Sequence, residues 1–235
     1  SPARMENLSM QVIPSIRDSV GAIANEQAST LAELTRTTLS KTDEVSEVLR
    51  SLGVEVSSGG SSVGGPYIPI ESDKSFEESL SQLDEALSTY DKLRTKSKSL
   101  PLADPMPGAE ASSMFGIRLD PFFKRTALHS GMDFAAPSGS PVRVTAGGTV
   151  VSAGDAGGYG LMIEVDHGNG YSSRYAHLSR IDVTKGKKIG LGEIIGRVGT
   201  TGRSTGSHLH YEVRRHEVAV DPARYIRAGH KLASL

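Results

Sequence analysis

Residues 204–214 read STGSHLHYEVR, and the alternation inside this stretch decides how the second half of the chain is built. Successive side chains of a strand point to opposite faces, so His208 and His210 share one face while Leu209, Tyr211 and Val213 share the other. Gly202 and Gly206, just upstream, supply the turn that delivers the strand. Two imidazoles converge on one spot. On an isolated strand the alternative is a pair of solvated histidines.

Upstream, residues 128–135 read LHSGMDFA, and the interval of four puts His129 and Asp133 on one face of either a strand or a helix. Gly131 and Pro137 argue for an extended segment. Zinc takes imidazole nitrogen and carboxylate oxygen, and a catalytic site uses three protein ligands while leaving a position for water. His129, Asp133 and His210 make such a set. The run Tyr175-Ala176-His177-Leu178 adds a further imidazole. With no cysteine in the chain, disulfides and thiolate metal sites are excluded.

HxGxD, then YxHL, then GxSTGxHLHYE, in that order, resembles the signature of the lysostaphin-type (LytM-like) zinc endopeptidases. The resemblance spans roughly residues 112–227. It includes an opening motif, FGIRLDP at 115–121, and a closing Asp221-Pro222. By this resemblance His129, Asp133 and His210 are the ligands of one Zn2+ ion, and His177 and His208 are catalytic histidines that do not bind metal. All five positions agree with the family pattern.

The chain is 235 residues long, with a formal net charge of -1 that gives no whole-chain argument for nucleic acid. Residues 1–100 hold 10 Lys+Arg against 15 Asp+Glu, and residues 101–235 hold 16 against 12, so an acidic front precedes a basic back. From Leu8 to Leu52, apolar residues recur at about 3.67 residues per step, which predicts a nearly straight helix. Gln27, Thr38 and Lys41 interrupt the stripe. Pro14 either opens this helix at its first turn or kinks a longer one arriving from upstream. A helix of about 40 residues is roughly 60 Å long and needs a partner. Residues 53–74 read as a Gly/Ser/Pro linker, and Ser75 with Glu78 as a capping box. A second helix carries Phe76, Leu80, Leu83, Leu87, Tyr90 and Leu93 on one stripe.

The expected fold is α+β and multidomain. Residues 1–100 form a helical hairpin or coiled coil and 101–113 a linker. Residues 114–235 form an all-β antiparallel barrel-sandwich peptidase domain. Its strands are expected at 142–151 (broken at Gly147-Gly148), 161–166, 171–176, 194–198 and 208–214. The hairpin would leave the first half of the long helix free for self-association or for an envelope protein. His167, His216 and His230 read as solvated. Tyr159, Arg174 and Tyr175 read either as groove lining or as packing residues.

No stretch approaches 18 apolar residues, and the expectation is a targeting or membrane segment upstream of Ser1 that anchors the protein to the inner membrane. The family's substrates are peptide cross-links of bacterial peptidoglycan. The resemblance therefore implies a zinc metalloendopeptidase of the periplasm or cell envelope, with the D-alanyl to meso-diaminopimelate link as expected target and the coil as a candidate regulator. A non-catalytic activator or scaffold for cell-wall amidases is the alternative, against which the complete set of five residues argues.

Overall fold

The computed structural model describes residues 2–56, 76–119 and 125–235, the side chains of 2–11 excepted. Most of the expected Gly/Ser linker, the Ser75 cap and Asp120-Pro121 lie outside the described residues. Helix α1 covers Pro2–Ser51 and α2 covers Phe76–Ser97. The strands are β1 (Ala111–Ser113), β2 (Gly116–Leu119), β3 (Thr126–His129), β4 (Met132–Ala135), β5 (Pro141–Arg143), β6 (Gly148–Asp155), β7 (Leu161–Gly168), β8 (Tyr171–Ile181), β9 (Lys188–Ile189), β10 (Ile194–Val198), β11 (His208–Arg215) and β12 (Val218–Val220), before helix α3 (Pro222–Ala233). Two compact units result: one holds α1 up to Glu47 with α2 up to Arg94, the other Val48–Glu55 with Thr95–Leu235.

In the helical unit, Pro14 lies inside α1. The 50 residues of α1 span about 75 Å and the 22 of α2 about 33 Å, so α2 is long enough to cover less than half of α1. Burial on α1 follows that limit: among the described side chains, residues 12–30 are exposed and the first buried position is Thr35. The inward positions agree with the expected stripes at Val45 and Leu93 and differ elsewhere. In this unit Thr35, Thr42, Val45 and Ser46 are buried while Leu34 is exposed, and on α2 the buried residues are Ala86 and Leu93. Phe76, Leu80 and Leu87 are exposed. From Thr35 to Val45 the inward positions step by alternating threes and fours, a heptad seam in place of the longer period read from the sequence.

The second unit is built on an antiparallel sheet in the order β1-β4-β11-β8-β7-β6-β9. The path is open, with β1 and β9 at its ends; no closed barrel forms, and the α+β architecture with an antiparallel peptidase sheet is as expected. Edge strands of three and two residues leave little free ladder, one way of blunting an edge without closing the sheet. Strand β8 is long enough to serve two partners on one side: its residues 171–176 pair with β11 and 178–181 with β10, which in turn pairs with β5. Val142, Ile163, Val165, Tyr175, Leu178, Ile195, Leu209, Tyr211 and Val213 form the core, each fully buried. The stretch around Pro101 and Pro105, expected as a linker, joins this packing. Leu100 and Met106 are buried, and the Arg143 N–H donates to the Pro105 carbonyl. The chain turns between β7 and β8 through Asn169 and Gly170, both at positive φ, as an Asn-Gly hairpin requires.

His167 is buried in this core and not solvated. Its Nδ1–H donates to the Gly147 carbonyl at 2.9 Å, and its Nε2 meets the Ser173 hydroxyl at 2.7 Å. Tyr175, Thr145 and Tyr211 continue the hydroxyl chain at 2.9 Å per step. Burial disfavours the imidazolium and lowers the His167 pKa, outweighing the Gly147 carbonyl and the Asp166 charge. The unfolded chain therefore binds more protons than the folded one below about pH 6.5, and stability falls as pH drops through that window. Thermal denaturation of metal-free protein at about pH 7.5 and about pH 5 should show a larger loss for wild type than for His167→Gln. Equal losses would place the acid sensitivity elsewhere.

Candidate active site

Strand β11 runs between β4 and β8, with His210 opposite Asp133 on one side and Ala176 on the other. The core side of β11 carries Leu209, Tyr211 and Val213, as its alternation requires, and the opposite side carries His208, His210 and Glu212. His129 ends β3, and the Ser130-Gly131 link returns the chain into β4 so that Asp133 reaches the same spot. His129 Nε2 lies 3.0 Å from Asp133 Oδ1 and 3.1 Å from His210 Nδ1, and the latter lies 2.8 Å from the same Oδ1. These three side chains are buried and could hold a metal ion.

The donor set fits zinc. Tetrahedral bonds of about 2.0–2.1 Å place ligand atoms roughly 3.3 Å apart, close to the spacing here. Each imidazole also has its other nitrogen occupied. His129 Nδ1–H donates to the Met114 carbonyl at 2.8 Å, and His210 Nε2–H to Glu212 Oε1 at 3.2 Å. The tautomers thereby leave Nε2 of His129 and Nδ1 of His210 with free lone pairs. Asp133 is acidified: burial works against ionisation, but the two histidines beside it outweigh burial. Its second oxygen faces Arg118 of β2 at 3.4 Å. His210 is pulled upward in turn, as the Asp133 and Glu212 carboxylates overcome its burial.

His177 reaches the site by a different device. Tyr175 and Leu178, three residues apart, both point into the core, which strict alternation forbids. The irregularity is absorbed at His177, whose φ of +58° is left-handed, at the point where β8 changes partner from β11 to β10. Its ring centroid lies 4.9 Å from that of His208 and 5.7 Å from that of His210. The Nδ1–H donates to the Thr201 carbonyl at 2.8 Å, and burial drives the pKa down to about 4, so the ring is neutral. His208 donates Nδ1–H to the Gly206 carbonyl at 2.8 Å, and its Nε2 lies 3.9 Å from Asp133 Oδ1.

The five side chains line a cleft of about 490 Å³, together with Arg118, Leu128, Tyr159, Arg203 and Thr205. Of the other residues read as groove lining, Tyr159 is in the wall. Arg174 instead pairs with Glu164 at 3.1 Å and stacks 5.9 Å from the Tyr159 ring, and Tyr175 is wholly core. His216 and His230 are exposed, as expected. Sequence reasoning missed Glu212, although its place two residues beyond His210 puts it on the histidine face. Ser130 and the Met114 carbonyl carry no comparable signal.

Residues 127–222 match peptidase family M23. The chain is 46% identical over 119 residues to the DD-carboxypeptidase/endopeptidase Mpg of Neisseria meningitidis, covering 51% of this chain and 27% of that protein. It is 49% identical over 96 residues to the peptidoglycan DD-endopeptidase ShyA of Vibrio cholerae, covering 41% and 22%. A solved zinc-containing peptidase from Vibrio cholerae superposes with a TM-score of 0.48 at 35% identity, over 52% of this chain and 38% of that one. The chain thus spans about a quarter of the length of these curated relatives. Within its β-rich unit, residues 127–222 carry a peptidase family M23 domain.

Proposed function

We propose that this domain is a zinc-dependent endopeptidase that hydrolyses peptide cross-links of bacterial cell-wall peptidoglycan in the cell envelope. The observation that carries the reading is the convergence of His129, Asp133 and His210 within 2.8–3.1 Å of one another, with both imidazoles held in ligating tautomers. Relatives named as DD-endopeptidases support the substrate class.

Bound there, zinc would bring the pKa of a coordinated water to about 7 and polarise the scissile carbonyl. The protein's own part falls to His177 and His208. Each has its Nδ1–H committed to a backbone carbonyl and so presents Nε2 to the cleft. His177, neutral through burial, can accept the proton of the attacking water. His208, with its Nε2 3.9 Å from Asp133 Oδ1, stands where it can hydrogen-bond the developing oxyanion or pass a proton to the leaving amine. In the same cleft, Arg118 holds the second oxygen of Asp133, leaving Oδ1 for the metal.

Incubation of purified cross-linked peptidoglycan with the protein, followed by mass spectrometry of the muropeptides, tests this reading. Conversion of dimers to monomers that stops on adding a zinc chelator is the expected result. A zinc-loaded, folded protein that leaves the dimers intact would overturn it.

A further inference from the structure

Resting on the zinc reading above, we propose that Glu212 is a positioning residue of the metal site. Its buried carboxylate fixes His210 in the tautomer that ligates through Nδ1, and Ser130, Tyr159 and Arg214 hold that carboxylate in place.

The two imidazoles of the site solve the same problem by different means. His129 gives its Nδ1–H to a backbone carbonyl, that of Met114, whose place is set by the chain itself. His210 stands in the middle of β11 between two paired strands, and the backbone groups on either side of it are engaged in the ladders to β4 and β8. Its outer nitrogen therefore needs a side chain. Residue 212, two along the same strand and so on the same face, is where that side chain can come from.

Glu212 is fully buried, a placement that an unpartnered carboxylate would strongly resist. Its partners account for the burial. Oε1 accepts from His210 Nε2–H at 3.2 Å, from the Ser130 hydroxyl at 2.5 Å and from the Tyr159 hydroxyl at 2.8 Å. Oε2 accepts from Arg214 Nη1 at 2.7 Å. An anion on Nε2–H makes Nδ1 a stronger donor to a metal.

The geometry also ties the site together. Ser130 directly follows the ligand His129, so a single carboxylate braces the segments that carry two of the three ligands. Tyr159, its third donor, stands in the cleft wall with its ring 5.8 Å from that of His210. Ser130, Tyr159 and Arg214 are thus placed to keep Glu212 in position.

The test compares Glu212→Leu, which removes every acceptor, with Glu212→Gln, which keeps an oxygen for Nε2–H. Zinc affinity is measured by competition with a chromophoric chelator. Glu212→Leu should bind zinc about 10–100-fold more weakly, while Glu212→Gln should recover most of the loss. A folded Glu212→Leu protein with wild-type zinc affinity would overturn the proposal, whatever its thermal stability. Should that variant fail to fold, long-range proton–nitrogen correlation spectra of zinc-loaded wild type decide the matter. The expected pattern is a protonated, slowly exchanging His210 Nε2 with metal on Nδ1; ligation through Nε2 would refute the assignment. Wild-type protein that binds no zinc would instead remove the endopeptidase reading beneath it.

Discussion

His177→Ala should keep its zinc and lose turnover by roughly 10²–10⁴-fold, the range for removal of a general acid or base, whereas His210→Ala should lose metal and turnover together. The split follows from where each ring points. His210 Nδ1 is one of three atoms within 2.8–3.1 Å of one another, and taking it away leaves two ligands for an ion that needs three from the protein. His177 stands one ring further out, anchored through Nδ1–H to the Thr201 carbonyl with Nε2 toward the cleft. Its loss leaves the tripod intact. The left-handed backbone at residue 177 gives a second comparison, because glycine adopts φ of +58° without strain. His177→Gly should therefore be as inactive as His177→Ala and no less stable. Zinc content by atomic absorption, read beside turnover on cross-linked peptidoglycan, checks both variants. Equal loss of metal in His177→Ala and His210→Ala would show that residue 177 belongs to the coordination sphere.

Much of this site is legible because strand alternation is rigid. Once His208 and His210 are placed on a strand, their shared face and the core face of Leu209, Tyr211 and Val213 follow without further information. The same logic reaches Glu212, whose role was overlooked because a glutamate two residues past a histidine looks like any solvated strand position. His177 is not legible in the same way. Its delivery depends on a bulge where β8 exchanges one neighbour for another, and such an exchange is a property of the assembled sheet, not of the local sequence. His167 failed for a related reason: the DHGNG turn suggests solvent, yet the ring folds back onto Gly147 and Ser173. Helix α3 was missed even though Asp221-Pro222 carries its start signal. Asp221 accepts from the Ala223 N–H at 3.0 Å, and Pro222 occupies the first turn. In the helical unit the apolar stripe of α2 was plain in the sequence, but Phe76, Leu80 and Leu87 remain exposed while Ala86 and Leu93 are buried. Periodicity locates an apolar face and leaves open what covers it.

Gly131→Ala is expected to damage the same centre from the backbone side. A Cβ at this position would lie 2.4 Å from the Tyr211 carbonyl oxygen and 2.8 Å from Cε1 of His210, both well inside van der Waals contact. Neither neighbour is free to yield. Tyr211 is in the ladder opposite Met132, and the His210 ring is gripped by Asp133 on one nitrogen and Glu212 on the other. Overpacking of this kind costs about 1–3 kcal/mol, and here the displaced ring carries a ligand atom. The variant should therefore lose zinc affinity as well as thermal stability. Gly190→Ala is the control, since a Cβ there meets nothing within 4 Å; it should stay within about 0.5 kcal/mol of wild type and bind zinc normally. Calorimetric unfolding of the metal-free proteins gives the first quantity and chelator competition the second. A Gly131→Ala protein with wild-type values in both would mean that the link between His129 and Asp133 shifts to make room, and that the spacing of the tripod is not set by the close approach of this loop to β11.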